Sequence, residues 1–140
     1  MKNMYEIFDE FELAKTKQQR IAVLEQNMSQ ALCDVILMAF HPKYEWLVTE
    51  LPKKYKMPDI LTGSAFSSIQ QQLRKLYMFR KGDPTAEKLT PERREEILLQ
   101  ILESLEFREA EVIIGIFTKD LGVKGLDHKF VKEVFPNMLT

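Results

Sequence analysis

The sequence predicts an all-α protein: a compact single-domain bundle of six to eight helices, spanning residues 1–140 and ending in a glycine-turn helical hairpin. Three observations carry that prediction. Apolar residues recur at three- and four-residue steps through most of the 140 residues. Serine and threonine stand at helix-start positions ahead of those runs. No stretch alternates apolar with polar residues as a half-buried strand would. Residues 112–117 are apolar enough for a buried strand, but their flanks continue at helical spacing.

The elements follow in order. In residues 5–14, Tyr5, Phe8 and Phe11 recur at three-residue steps with Ile7 beside them, marking one apolar face. Thr16 and Gln19 have capping-box spacing and start a second helix through about Asn27, with Ile21, Leu24 and Met28 sharing a face. Ser29 caps a third, whose buried stripe is Leu32, Val35, Ile36, Ala39 and Phe40. His41-Pro42 ends it, because proline drives the preceding residue out of the helical region. Residues 43–63 are the least regular, with one helical turn expected around 44–51 and then a loop punctuated by Pro52, Pro58 and Gly63. Ser64 or Ser67 opens the next helix, running to about Phe79 with Phe66, Ile69, Leu73, Leu76 and Tyr77 inward. Lys81-Gly82-Asp83-Pro84 is a break. Thr90-Pro91 supplies an N-cap followed by proline at the first helical position, and Ile97, Leu98, Ile101, Leu102 and Leu105 form that helix's core stripe. Helices over about 108–121 and 127–135 complete the chain, and Pro136 closes the last.

Composition narrows the function. Apolar content of 45% with 29% charged residues is that of a globular domain. A net charge of −1 gives no global basic excess. The distribution is uneven: residues 91–120 carry eight acids and four bases, whereas 43–90 carry nine bases and five acids. A single cysteine, Cys33, excludes an intrachain disulfide and suits a reducing compartment. With no signal-type apolar run and nothing near the roughly twenty apolar residues of a membrane span, a soluble protein of the cytoplasm is expected.

Catalysis finds little support. His41 and His128 are far apart and no second cysteine exists, so neither a metal site nor any cofactor is expected. Cys33 reads as a small core residue without a base beside it. Glu92 with Glu96, and Glu109 with Glu111, lie on acidic segments that a solvated helix face explains. Lys81-Gly82-Asp83-Pro84 lacks the spacing and the preceding strand of a phosphate loop. The chain is therefore read as no enzyme. Basic groups remain. Lys53, Lys54 and Lys56 surround Tyr55 in the middle loop, and Arg74, Lys75, Arg80 and Lys81 end the following helix. The hairpin carries Lys119, Gly122, Lys124, Gly125, Lys129 and Lys132. Glycines there would let backbone N–H groups approach a phosphate, with a helix start behind them. A glycine-terminated helix followed by a solvated short helix explains the same residues.

Several motifs carry a resemblance. Residues 15–27 resemble the T-K-Q-[KQ]-x-x-[IV]-L-E-x-N run near the start of the DNA ligases of T-even-like bacteriophages. Residues 44–53, ending in Leu51-Pro52-Lys53, stand where those ligases have an aromatic, lysine- and proline-bearing stretch. Glu111-Val112, Lys119-Asp120-Leu121, and Lys132, Val134, Phe135 and Pro136 follow the ligase order of E-V, [RK]-D-L and an apolar pair before proline. The layout is closer still to a family of small, uncharacterised proteins of the same phages. Its marks here are Ala14-Lys15-Thr16-Lys17, Phe40-His41-Pro42, Leu76-Tyr77-Met78-Phe79 and Lys124-Gly125-Leu126 through Phe135-Pro136.

The resemblance implies the fold of the ligases' all-helical N-terminal DNA-binding domain, meeting duplex DNA through its backbone. Lys119, Lys124 and Gly125 would be phosphate contacts, with Lys53 and Lys54 in a second region. Ile114 and Gly115 replace a basic ligase pair, Gly122 stands at an acidic ligase position, and no K-x-D-G adenylation motif occurs. Two readings follow: a non-catalytic phage accessory protein that binds double-stranded DNA, or a module that kept the fold and targets a phage or host protein. In the second, Tyr44, Trp46, Leu47, Met57, Ile60 and Leu61 would supply the anchor.

Overall fold

The computed structural model describes residues 2–48, 51 and 68–139. Two helices form its centre. α3, Gln30–Phe40, buries Ala31, Leu32, Val35, Ile36, Ala39 and Phe40, two adjacent rows of a helix wide enough to meet neighbours on two sides. α7, Phe107–Thr118, is buried almost all round through Ala110, Val112, Ile113, Gly115, Ile116 and Phe117. The two pack together, and the other elements cover them. α1, Met4–Leu13, lies on α7 and carries α2, Lys17–Gln26, beside it. α4, Ile69–Leu73, packs on α3, and α6, Pro91–Ser104, packs on α7. α5, Pro84–Lys88, sits against a 3-10 turn at Leu76–Phe79. α8, His128–Val134, runs into a second 3-10 turn at Pro136–Leu139, which touches α3. The described residues thus hold eight α-helices around one contiguous apolar core, and no strand.

The caps fall where short polar side chains stand. Thr16 accepts from the Gln19 N–H, Ser29 from Leu32, Thr90 from Arg93 and Asp127 from Phe130. The Gln19 side chain accepts from the Lys15 N–H, one residue ahead of the expected partner. Ser68, rather than Ser64 or Ser67, caps α4; those two, with Phe66, lie outside the described residues.

Four expectations are corrected. The helix expected to reach Phe79 stops at Leu73, and the chain tightens through Arg74-Lys75 into a 3-10 turn. That rotation turns Tyr77 outward, leaving it 49% exposed. Met28, expected inward, is 38% exposed because α2 ends at Gln26. Residues 44–48 form no helical turn. Trp46 pairs with Arg80 in an antiparallel bridge, with Leu47 N–H donating to Phe79 O at 2.7 Å and Lys81 N–H to Glu45 O at 2.8 Å. α5 stands where a break is expected; Asp83 caps it and proline follows, so Gly82-Asp83-Pro84 is a helix start.

Glu109 shows how the ends of the chain are joined. Its carboxylate is buried, 5% exposed, and accepts from the Met4 and Tyr5 N–H groups at 3.3 and 2.9 Å. These are orphan donors of the first turn of α1, satisfied from α7 rather than from a local cap. Burial pushes the Glu109 carboxyl above its ordinary 4.5, opposed by those two hydrogen bonds and assisted by Glu106 and Glu6. A raised folded-state value means stability that is present below 4.5 and lost as pH climbs through the folded value. Glu109→Gln keeps an acceptor and removes the charge. Its stability should gain on the native protein's as pH rises above 4.5, and exceed that of Glu109→Ala by about 1–3 kcal/mol in urea unfolding. Native and glutamine curves running parallel with pH would contradict this account.

Candidate nucleic-acid interface

The glycine turn begins at a lysine. α7 ends at Thr118, and Lys119 takes a left-handed conformation with φ 60°, the only described non-glycine residue with positive φ. Its Nζ donates to three carbonyls, Met38 O at 3.1 Å, His41 O at 3.0 Å and Tyr44 O at 3.0 Å. All three ammonium donors are thereby used on the C-terminal end of α3 and the segment beyond it. Burial pulls the amine below its usual value, while Glu45 pushes it back up. Lys119 thus ties the turn to α3 and does not stand out as a phosphate contact.

Two amides of the expected cradle, and one in the first turn of α8, are also filled. Gly122 N–H donates to Asp120 Oδ1 at 2.9 Å, Lys124 N–H to Glu12 Oε2 at 2.9 Å, and Phe130 N–H to Asp127 Oδ1 at 2.8 Å. Carboxylates occupy the positions a phosphate would have taken. Gly115 has a structural reason as well: a Cβ there would lie 2.9 Å from Leu121 Cα and 3.0 Å from Asp120 O. The chain doubles back against the helix at that point, and no basic side chain fits.

What the hairpin offers is its side chains. On α8, Phe130 and Val131 point inward, so His128, Lys129, Lys132 and Glu133 share the exposed arc. Lys17 reaches Glu133 at 3.0 Å, which sets the first turn of α2 beside α8. Arg20 lies against Gly125, whose φ of 87° and missing Cβ admit the guanidinium, and over the Phe11 ring at 5.8 Å. Phe11 in turn meets Phe130 edge-on at 5.3 Å. Lys124, Lys129, Lys132, Lys15 and Lys17 are all exposed around this junction. The opposite side of the turn is acidic: Asp9, Glu12, Glu111 and Asp120 line a cleft in which Arg108 is held by Asp9 in a two-pronged pair at 2.7 and 2.8 Å. The Arg108 guanidinium holds the Asp9 carboxyl below its usual value.

Of the predicted residues, Lys129 and Lys132 share the exposed arc of α8 and Lys124 is exposed in the turn ahead of it, with Gly122 and Gly125 shaping that turn. Lys53 and Lys54 lie outside the described residues, as do Met57, Ile60 and Leu61. Sequence reasoning missed Lys15, Lys17 and Arg20 as members of the basic face. A signal was present: cations in the first turn of a helix oppose its dipole, so Lys15 and Lys17 flanking the Thr16 cap call for another explanation. Trp46 packs edge-on against Phe117 at 5.1 Å rather than standing out as an anchor.

Chemistry beyond binding finds no centre here. The Cys33 thiol is raised by burial and then by Asp34, the reverse of an activated nucleophile. Among the described residues no three His, Cys, Asp or Glu side chains group to hold a metal ion, and no helix is long and apolar enough to cross a membrane.

The chain belongs to a family of unknown function (DUF6433), whose model matches residues 7–123. No curated protein matches it. Two solved structures, "Pmar-Lig_PreS3" and "Pmar-Lig_Pre.", are similar to it, each with a TM-score of 0.60 and 19% identity. Each match covers 95% of this chain and 30% of the other, so the chain spans less than a third of those proteins. The fold resembles a domain of a DNA ligase.

The role of Lys119 is directly testable. Lys119→Ala removes three hydrogen bonds from a cation and keeps the strained backbone, and should cost about 2–3 kcal/mol in urea unfolding. Lys119→Gly loses the same bonds but relieves the left-handed strain, so it should be about 1 kcal/mol less damaging. A pair of variants as stable as the native protein would show that the amine holds nothing.

Proposed function

We propose that this protein is a non-catalytic, phage-encoded accessory protein that binds double-stranded DNA mainly through backbone phosphates. The observation that carries this reading is the gathering of Lys15, Lys17, Lys124, Lys129 and Lys132 at the junction of α2 and α8. The junction belongs to a fold that resembles a domain of a DNA ligase. Exposed lysines on flexible stems suit a sequence-independent phosphate track: they neutralise charge and release counterions without reading bases. With carboxylates on the Gly122 and Lys124 amides, the lysine side chains supply the main attraction, and binding should weaken steeply with salt.

The second reading is a protein-interaction module that kept the ligase-like fold and targets a phage or host protein. The acidic cleft of Asp9, Glu12, Glu111 and Asp120 favours it, since that side of the turn repels a nucleic-acid backbone.

Fluorescence anisotropy with nicked, intact-duplex and single-stranded DNA across a salt series tests the first reading. The triple variant Lys124→Ala, Lys129→Ala, Lys132→Ala should lower the slope of log K against log salt by up to about 0.9 for each phosphate left without its lysine. The melting temperature should change little, because all three side chains are exposed. Duplex binding with an unaltered slope would rule this face out as the site. No binding at low salt would favour the protein-interaction reading.

A further inference from the structure

A cleft of about 610 Å³ opens between α3, α4 and the 44–46 segment, away from the lysine face in its residues and different in its chemistry. Its walls carry three aromatic rings, Tyr44, Trp46 and Tyr77, and two arginines, Arg74 and Arg80. Tyr44 and Trp46 are stacked, with centroids 5.9 Å apart and planes 19° from parallel. The Arg80 guanidinium lies 4.4 Å from the Tyr44 ring centroid, and the Lys43 amine 5.2 Å from it. Tyr77, turned out by the 3-10 segment, is half exposed on the rim. Asp34 is the one carboxylate among the described lining residues, and it already accepts from Gln30 at 2.8 Å.

Two of these features lack a purely structural reason. An aromatic ring as large as that of Tyr77 gains little from being set outward on a short 3-10 turn. The Trp46 indole N–H is buried without a hydrogen-bond acceptor among the described residues, an arrangement that normally costs stability. Flat rings beside arginines, with a carboxylate acceptor nearby, match the parts of one nucleotide: a base to stack, a phosphate to pair and an amino group to bond. The volume also falls within the range of small-ligand sites.

We infer that this cleft binds a single unpaired nucleotide, its base stacked on Tyr77 and its phosphate on Arg74 and Arg80. The inference does not rest on the lysine face: a duplex keeps its bases stacked internally and offers none to the cleft. Only a single strand or a free nucleotide presents the required face. Trp46 is the sole tryptophan of the chain and part of the cleft wall, so its emission reports occupancy of this site alone.

The experiment is a titration of Trp46 fluorescence in the full chain with a ten-residue oligodeoxyadenylate, its duplex with the complementary strand, and deoxyadenosine monophosphate. Saturable quenching by the oligonucleotide and not by the duplex is expected. Tyr77→Ala should weaken it roughly five- to 150-fold, the equilibrium factor of losing one base–aromatic stack. Tyr77→Phe should retain it, and Arg74→Ala should weaken it and lessen its salt dependence. Tyr77 and Arg74 are exposed, so these variants keep the fold, as a matching melting temperature would verify. If the monophosphate quenches as tightly as the oligonucleotide, the site takes free nucleotide; if the oligonucleotide is tighter, it takes a strand. No saturable quenching by either, equal quenching by the duplex, or quenching indifferent to Tyr77→Ala would overturn the inference. Duplex anisotropy at the lysine face is measured separately, so failure of one site is distinguishable from failure of the other.

Discussion

The ammonium of Lys119 fastens the end of α7 to the last turn of α3 and to the segment that follows it. It stands at the left-handed end of α7 and donates to carbonyls from the last turn of α3, from His41 and from Tyr44. Helix C-termini leave carbonyls without intrahelical partners, and a cation there answers both the hydrogen bonds and the dipole. By fixing Tyr44, the same amine fixes the bridge of Trp46 with Arg80, and so one wall of the aromatic cleft. By fixing the direction in which the chain leaves α7, it fixes where α8 lies. Both candidate surfaces therefore depend on one half-buried charge that faces neither of them.

The turn after Lys119 shows a second economy of design. Its N–H groups have the geometry that invites an anion, and the protein supplies its own anions: Asp120, Glu12 and Asp127. A nucleic acid approaching this turn meets carboxylates already on the Gly122 and Lys124 amides, and a sign change: lysines toward α2, carboxylates toward α1. Such a boundary orients a polyanion along the lysine side, and it limits affinity because the acids lie within a Debye length of the cations.

Much of the fold was legible because helix periodicity and capping chemistry are local. Thr16, Ser29 and Thr90 cap the helices that their positions announced, and the stripes of α3 and α6 are buried as spaced. What was not legible depended on distant partners. The helix expected through Phe79 breaks at Leu73 because the following residues pair with the 45–47 segment, a contact that no window of sequence contains. Lys119 has the look of a surface cation, since nothing local places three carbonyls around it. Lys124 was legible as an exposed cation of the turn, and Lys129 and Lys132 as exposed cations of a short helix. That Lys17 joins them is fixed by its ion pair with Glu133 of α8.

The carboxylate of Glu109 on the first amides of α1 has a bearing on how the chain comes to be folded during its synthesis. α1 leaves the ribosome about a hundred residues before Glu109, the group that satisfies two of its first-turn amides. Its other fastenings come late too: Arg108 for Asp9, the Lys124 amide for Glu12, and the Phe130 ring for Phe11. Until residues 107–134 are made, the apolar face of α1 has mainly α2 beside it, and that nascent pair must be shielded or remain fluid.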